Sequence, residues 1–465
     1  MLWKEARVLV VESLALVLKQ IIEEQVVPFM KESQGALAED AAGKPVRVVA
    51  LEPMLQRLAL ALVGAVVAHL AEQLRGGKVQ NKHACQCGGG LLYKVTRPRT
   101  WGSVVGELVF MRAYYWCGKC KATRYPLEVI WGLRPVEAPA KGREYLTPAA
   151  GGCLAVLNAV LSYGQGCKQF LALTGLRVSA MLAWRNVQRV GKRLRAKGAV
   201  AGVQVAKGAA AAKGRQKLRW LVSADGIFVG FWRDARRRRR KEGAPAIKRR
   251  KGIKWTEVKV GLVALLDSQG KVIRGSQWCV AGLDAAKSFR QKLWKVAKAR
   301  GVWETDTVVV VTDGAKWLRA LVTRYFTWGV AIRDFYHASE HLKVMAEALH
   351  GEGAWRAKLW HRRMARRLKR GEIDSMLAGW ERSRAKPKDA KTWATECAYF
   401  STQREAMAYQ QFQEQNLPIG SGAMEATCKT AVAERQKVSG ARWTREGFMN
   451  LSAVRVCHQN GEPCL

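Results

Sequence analysis

Two kinds of side chain in this 465-residue chain are spaced for chemistry. Cys85-x-Cys87 and Cys117-x-x-Cys120 bracket a stretch of alternating apolar and polar residues, HACQCGGGLLYKVTRPRTWGSVVGELVFMRAYYWCGKC. Two thiolate pairs flanking a short hairpin suit one tetrahedral Zn²⁺, because each turn presents two sulfurs to the same ion. CGKC is the stronger half, with glycine in its tight turn. The one-residue spacing of the first pair is less usual, and His83 is an alternative ligand. The blander reading is four unrelated core cysteines, since Cys packs as a small hydrophobe. The chain has 11 cysteines in all, an odd number in a long chain, which argues against a disulfide framework. The second candidate is Asp313. Residues 306–318 read DTVVVVTDGAKWL, a valine run suited to a strand buried on both faces that ends on Thr-Asp-Gly. Asp-Gly is a common turn dipeptide, so a loop aspartate is one reading. The other is a carboxylate delivered to the end of a core strand.

The neighbouring elements favour the second. Residues 218–232 read as a strand that carries Asp225. Residues 257–267 and 271–281 read as two more strands, joined through the turn SQG as a hairpin. Phe289, Leu293 and Val296 give 284–300 helical spacing; then come the valine strand, a helix AKWLRALVTRYF, a strand at 329–335 and a helix YHASEHLKVMAEALH. The order β-β-β-α-β-α-β-α predicts a mixed sheet whose parallel half presents ligands beyond the carboxyl ends of its strands.

That order, with Asp225 on the first strand and Asp313 ending the fourth, resembles the ribonuclease H-like fold of integrases and DDE transposases. The phrases PIGSGAMEATCK, RQKVSGARW, ADGIFVG, VVTDGAKWL and DFYHASEHL, together with the cysteine ribbon, resemble bacterial insertion-sequence transposases of the ISKra4 type over roughly residues 83 to 460. The resemblance implies a third acid on a later helix, and Glu425 fits, in the first turn of a helix that Pro418 and Gly420 precede and Ser421 can cap. It further implies that Asp225, Asp313 and Glu425 hold two Mg²⁺ (or Mn²⁺) ions, which activate the attacking oxygen and stabilise the leaving 3′ oxygen in DNA cleavage and strand transfer. Glu434, Asp334 and Glu340 compete for the third role. Asp334 and His337 are candidates for support, with a capping role the plainer reading for Asp334. A metal site at the i, i+4 pair His337 and His341 lacks an adjacent third ligand.

The implied architecture is an α/β ribonuclease H-like core with a mixed five-stranded sheet, in two sequence parts, 218–350 and 416–465. An all-α insertion at 351–415, whose role the sequence leaves open, accounts for the 112 residues between Asp313 and Glu425. Ahead of the core lie a helical region (1–80), the zinc ribbon (81–135), a helix-turn-helix-like region (136–195) and a low-complexity linker (196–217).

Charge points to the partner. A formal net charge of +42 and a pI near 10.3 leave a self-repulsion that nucleic acid would offset. The longest apolar stretch is too short to span a membrane, so no membrane partner is expected and the protein reads as cytoplasmic and nucleoid-associated. Candidate contacts to double-stranded DNA, both element ends and target, fall in three places. Arg185 and Arg189 lie on the second helix of the helix-turn-helix-like pair, which Ser179 would cap. Arg236, Arg237, Arg238, Arg239, Arg240, Lys248, Arg249 and Arg250 lie in a basic excursion between the first two core strands, suited to tracking phosphates. Lys429, Arg435, Lys437, Arg442 and Trp443 surround the third acid, with Trp443 available to stack on a splayed base. Synapsis of two ends implies a homodimer or higher oligomer. A nuclease that cuts without joining and a catalytically idle DNA-binding protein are the competing functions.

Overall fold

The computed structural model describes residues 48–73, 83–126 apart from 86, 146–197, 217–232, and 252–464 apart from 305, 384 and 385, with short pieces between 15 and 31 and positions 128 and 133. The chain divides into two compact units, 1–190 with 464–465, and 191–463. No described helix is long and apolar enough to cross a membrane.

In the first unit a long helix, α1 (Val48–Gln73), precedes an antiparallel sheet in the order β1 (His83–Ala84), β2 (Gly90–Ser103), β3 (Gly106–Cys117) and β4 (Thr123–Arg124). The β2–β3 hairpin closes through Val104 and Val105 onto Gly106, whose φ of 96° suits a residue without a Cβ. Trp101, Leu108 and Phe110 form its apolar anchor. Three helices follow. The first is α2 (Pro148–Val160), capped by Thr147 with proline in its first turn; the second is α3 (Tyr163–Thr174), capped by Ser162. Gly175, left-handed at φ 70°, ends α3 and starts the turn into α4 (Ala180–Lys197), where Ser179 accepts from Leu182 N as its expected cap.

The second unit is built on a five-stranded sheet in the order β7-β6-β5-β8-β9: β5 (Arg219–Trp232), β6 (Ile253–Leu265), β7 (Trp278–Gly282), β8 (Thr307–Thr312) and β9 (Val330–Arg333). β5–β6 and β6–β7 are antiparallel; β5–β8 and β8–β9 are parallel. The expected mixed sheet is therefore present, with one correction. The third strand begins at Trp278, not 271, because the chain after the turn at Gly270 makes only a single bridge, Leu266 to Val272, before a second turn. Asn460 covers this edge strand in place of a sixth. Its Oδ1 accepts from Cys279 N and its Nδ2 donates to Cys279 O, at 2.8 and 3.0 Å.

The valine run is buried on both faces, and alternation sorts it. Val308 and Val310 pack with α5 (Ala286–Ala299) and α6 (Lys316–Arg324) on one face. Val309 and Val311 pack on the other, with α7 (Phe335–His350) and the C-terminal helices α12 (Gly422–Cys428) and α13 (Arg445–Gln459). Each fully buried valine contributes about 1.5–3 kcal/mol. The described residues of 351–415 form helices and turns: α8 (Trp355–Lys369), α9 (Ile373–Glu381), α10 (Ala390–Gln403), a 3₁₀ turn and α11 (Tyr409–Glu414).

Candidate functional site

The cysteines come together as their spacing predicts. Cys85 Sγ lies 3.6 Å from Cys120 Sγ, and Cys87 Sγ lies 3.5 Å from Cys117 Sγ. All four sulfurs lie within 4.8 Å of one another. A Zn–S bond of 2.3 Å in a tetrahedron sets sulfur–sulfur edges of about 3.8 Å, so this set could hold one ion without rearrangement. Local backbone builds the cradle. Cys85 N donates to Gly89 O and Gly88 N to Cys85 O, while Cys117 N donates to Ala122 O. Gly89 is needed there: a Cβ would sit 3.0 Å from Cys117 Sγ and 2.8 Å from Lys119 Cβ. The backbone at Cys120 holds the Cys117 thiol down at about 6, so it is a thiolate at neutral pH. Four thiols complete the set without His83.

The acids are positioned by the sheet. Parallel register pairs Ser223 with Val311, and Ser223 Oγ donates to Val311 O at 2.7 Å. Two residues on, in both strands, stand Asp225 and Asp313. They share one level, on the face that Leu221, Val309 and Val311 occupy. Thr312 pairs with Arg333, which puts Asp334 beside Asp313 at the end of the next strand. α12 packs across β5 and β6 on this face. Its Cys428 thiol, 3.8 Å from Asp225 Oδ2, fixes the helix over Asp225, and Glu425 lies three residues earlier on the same short helix. Glu425 is exposed while Asp225 and Asp313 are half-buried.

Backbone donors orient each aspartate. Gly226 N donates to Asp225 Oδ1 at 2.6 Å, and Ala315 N donates to Asp313 Oδ1 at 2.8 Å. Burial and then the charge of Asp313 push the Asp225 carboxyl above the usual aspartate range, while the Gly226 N–H and His337 pull the other way. Two half-buried carboxylates thus share one end of the sheet, with the Arg333 guanidinium acting on Asp313 and His337 on Asp225. The geometry is open, however. Among the described residues, the four thiols are the one set of three or more donors whose atoms all fall within 4.8 Å, so Asp225, Asp313 and Glu425 do not all close to that distance.

No family model matches this chain, and no curated protein matches it. What the site can do rests on its own residues.

The supporting residues sort clearly. Asp334 caps α7 by accepting from Tyr336 N, and Ser421 Oγ lies 2.7 Å from Asp334 Oδ2 and 3.0 Å from Glu425 Oε1. Ser421 therefore makes no side-chain cap to its own helix, contrary to expectation; its hydroxyl links two carboxylates instead. His337 acts on Asp225 electrostatically, whereas His341 is bound to Glu396 at 2.6 Å and stacked on Tyr399. Glu434 faces Arg455 at 3.8 Å, and Glu340 faces His337 at 3.5 Å.

Sequence reasoning missed Arg333. It is 6% exposed, donates to Thr312 Oγ1 at 3.1 Å and to Gln403 Oε1, and lies against Gly314. A Cβ on Gly314, at φ 103°, would stand 2.6 Å from the Arg333 guanidinium. The glycine in Thr-Asp-Gly thus makes room for a buried arginine behind Asp313. The glycine was a legible signal; its partner was not.

The candidate DNA-binding residues divide. Arg185, Lys429 and Lys437 are exposed. Arg189 turns inward, its Nη2 donating to Asn186 Oδ1 while Asn186 holds Gly151 O. Arg442 is half-buried, with Nη1 donating to Ala441 O. Arg435 is 8% exposed and lies 5.6 Å from the Trp443 ring. Trp443 is half-buried: it packs on Phe448, donates from Nε1 to Gln436 O, and its backbone bridges to Phe231. Arg236–Arg240 and Lys248–Arg250 lie outside the described residues. A cavity of about 570 Å³, lined by Cys279, Ala281, Lys292, Ser452, Val456 and Asn460, shares no residue with the acidic site.

Proposed function

We propose that the chain is a DNA transposase of the DDE type, with a ribonuclease H-like core that cleaves insertion-sequence ends and joins them to target DNA. One observation carries the reading: the parallel pairing of Ser223 with Val311 leads, two residues on, to Asp225 and Asp313 on one face of the sheet, with the helix of Glu425 packed over Asp225. The strand order, three antiparallel strands followed by two parallel ones, supports the fold assignment.

Asp225 and Asp313 each commit Oδ1 to a backbone N–H; Asp225 Oδ2 faces the weak Cys428 thiol donor, which a hard cation would displace. Glu425, exposed on the first turn of its helix, is the candidate third carboxylate. Two Mg²⁺ or Mn²⁺ ions bound there would supply activation of the attacking oxygen and stabilisation of the leaving 3′ oxygen. Asp334 and Ser421 hold Glu425 from behind, and Arg333 fixes the loop that carries Asp313. The four thiols would hold one structural Zn²⁺. The net charge of +42 supports double-stranded DNA as partner, and pairing of two element ends calls for a homodimer or higher assembly in the bacterial cytoplasm.

The test is strand joining in vitro, with Mg²⁺ and labelled element ends, comparing the wild type with Asp313→Ala. Joined products that vanish in the variant support the reading. Cleavage without joining replaces it with a nuclease on the same core. Salt-sensitive DNA binding with no product from either protein replaces it with an idle DNA-binding protein.

A further inference from the structure

The helix α8, in the insertion, has two unlike faces. Ala357, Met364 and Leu368 are buried, and His361 anchors the helix to α7 through Ser339, with Nε2 2.9 Å from Oγ. The opposite face exposes Arg356, Lys358, Arg362, Arg363, Arg366, Lys369 and Arg370. No acid lies between Trp355 and Arg370. At 100° per residue these seven side chains fall within a single arc of about 160°. Lys358, Arg362, Arg366 and Arg370 follow one another at i, i+4, where like charges repel. A merely solvated helix face carries both signs in such pairs. Glu372 lies beside Arg366, Lys369 and Arg370 at the C-terminal end, but it is bound to Arg367 Nε at 2.8 Å and is one acid against seven bases. An outside polyanion is the missing counter-charge.

The direction of the stripe is informative. α7 and α8 are joined through the short turn at 351–354 and pack together, so the C-terminal end of α8 returns to the start of α7. Lys369 Nζ lies 5.8 Å from the ring of Phe335, the residue after Asp334. The stripe therefore runs from Trp355, 68% exposed at its far end, to the acids at the strand ends. Its length is about 22 Å, and a duplex presents a charge every 1.7 Å or so of axis.

We propose that the outward face of α8 is a phosphate track that seats duplex DNA and leads it to the carboxylate site. This rests on the reading that the chain acts on DNA. Straightness favours a duplex over a single strand, and seven basic side chains against two exposed apolar ones, Trp355 and Leu359, favour a polyanion over an apolar peptide.

The experiment measures binding of the full chain to a short duplex of arbitrary sequence as a function of salt. The variant is Arg362→Gln/Arg363→Gln/Arg366→Gln. The control, Lys287→Gln/Lys295→Gln/Arg324→Gln on α5 and α6, removes the same charge from exposed positions elsewhere. If all three arginines meet phosphates, the slope of log K against log salt falls by about 2.7 in the α8 variant, at about 0.9 per contact. The control keeps the wild-type slope, and Arg→Lys at the same three sites restores it. Equal losses in both variants, or none in the α8 variant, overturn the track. A loss confined to duplex RNA, with DNA binding unchanged, also overturns it. Thermal melts of both variants at the wild-type temperature exclude misfolding as the source. Strand joining that survives Asp313→Ala is a separate result, one that sinks the wider reading and leaves these slopes untouched.

Discussion

The cysteine set, which could hold a metal, and the acidic set, proposed to hold two, differ in how closely their donors gather. The thiols span 36 residues of one ribbon, and two tight turns bring every sulfur to tetrahedral spacing. The acids come from two strands and a helix, with 112 residues between Asp313 and Glu425, and they remain open. Thiols can be neutral and still pack, so a protein can fold with them together. Carboxylates ionised at neutral pH repel one another, and the pKa of Asp225 is already raised, by burial first and then by the charge of Asp313. A site that serves folding is closed in advance, whereas one that serves turnover keeps a place for its substrate and its cations.

Cys117→Ser breaks the comparison most severely. Zinc affinity in such ribbons is folding free energy, about 10 kcal/mol or more, and Cys117 is the thiol most readily ionised. Elemental analysis should find one zinc per wild-type chain and none per variant chain. Limited proteolysis should cut the variant between 83 and 120 and leave the sheet of the second unit intact. A chelator should reproduce that pattern in the wild type. Zinc retained at full occupancy in the variant would show that the ion does not sit on these sulfurs.

Asp225→Asn sharpens it from the other side. Burial and Asp313 raise the folded-state pKa of Asp225, so its ionised form is worse placed in the folded chain than in the unfolded one. The penalty is present above the raised value and fades as pH falls toward the ordinary aspartate range, where both states are protonated. The variant should therefore melt a few degrees above the wild type at neutral pH, with the gap closing on acidification. Mg²⁺ should raise the melting temperature of the wild type and not that of the variant. Strand joining should drop by about 10³-fold, the equivalent of roughly 4 kcal/mol of lost charge stabilisation. A variant that melts lower than the wild type at neutral pH would mean that Asp225 serves the fold.

What the sequence made legible follows from locality. The thiol turns, the valine strand, the cap at Ser179 and the helical character of 351–415 all depend on residues a few positions apart. Asp225 and Asp313 were legible because a strand pattern fixes level and face as soon as the partner strand is known. The rest depended on distant packing. Arg435 and Trp443 read as DNA contacts because a basic and an aromatic residue look alike on a surface and in a cation–π pair, and only packing against distant residues shows that Arg435 is buried. Arg333 reads as an ordinary strand residue until Gly314 and Gln403 close around it. The early part of the third strand was lost because its alternation is real but finds no partner beyond one bridge.

Ser421→Ala is the smallest change and the most discriminating. One hydroxyl proton faces two carboxylates, Asp334 at 2.7 Å and Glu425 at 3.0 Å, so it satisfies one at a time and holds both in register. Removing it should cost about 0.5–1.5 kcal/mol of stability, the range of a single hydrogen bond. Glu425 would then depend on the cation alone for its position. Strand joining should fall by roughly 5- to 10-fold at limiting Mg²⁺ and recover as Mg²⁺ is raised. A role confined to the fold would lower activity equally at every Mg²⁺ concentration. An upward shift in the Mg²⁺ requirement, with Ser421→Thr restoring it, would place the acidic set between the two limits: closed by the protein in part, and by the ions for the remainder.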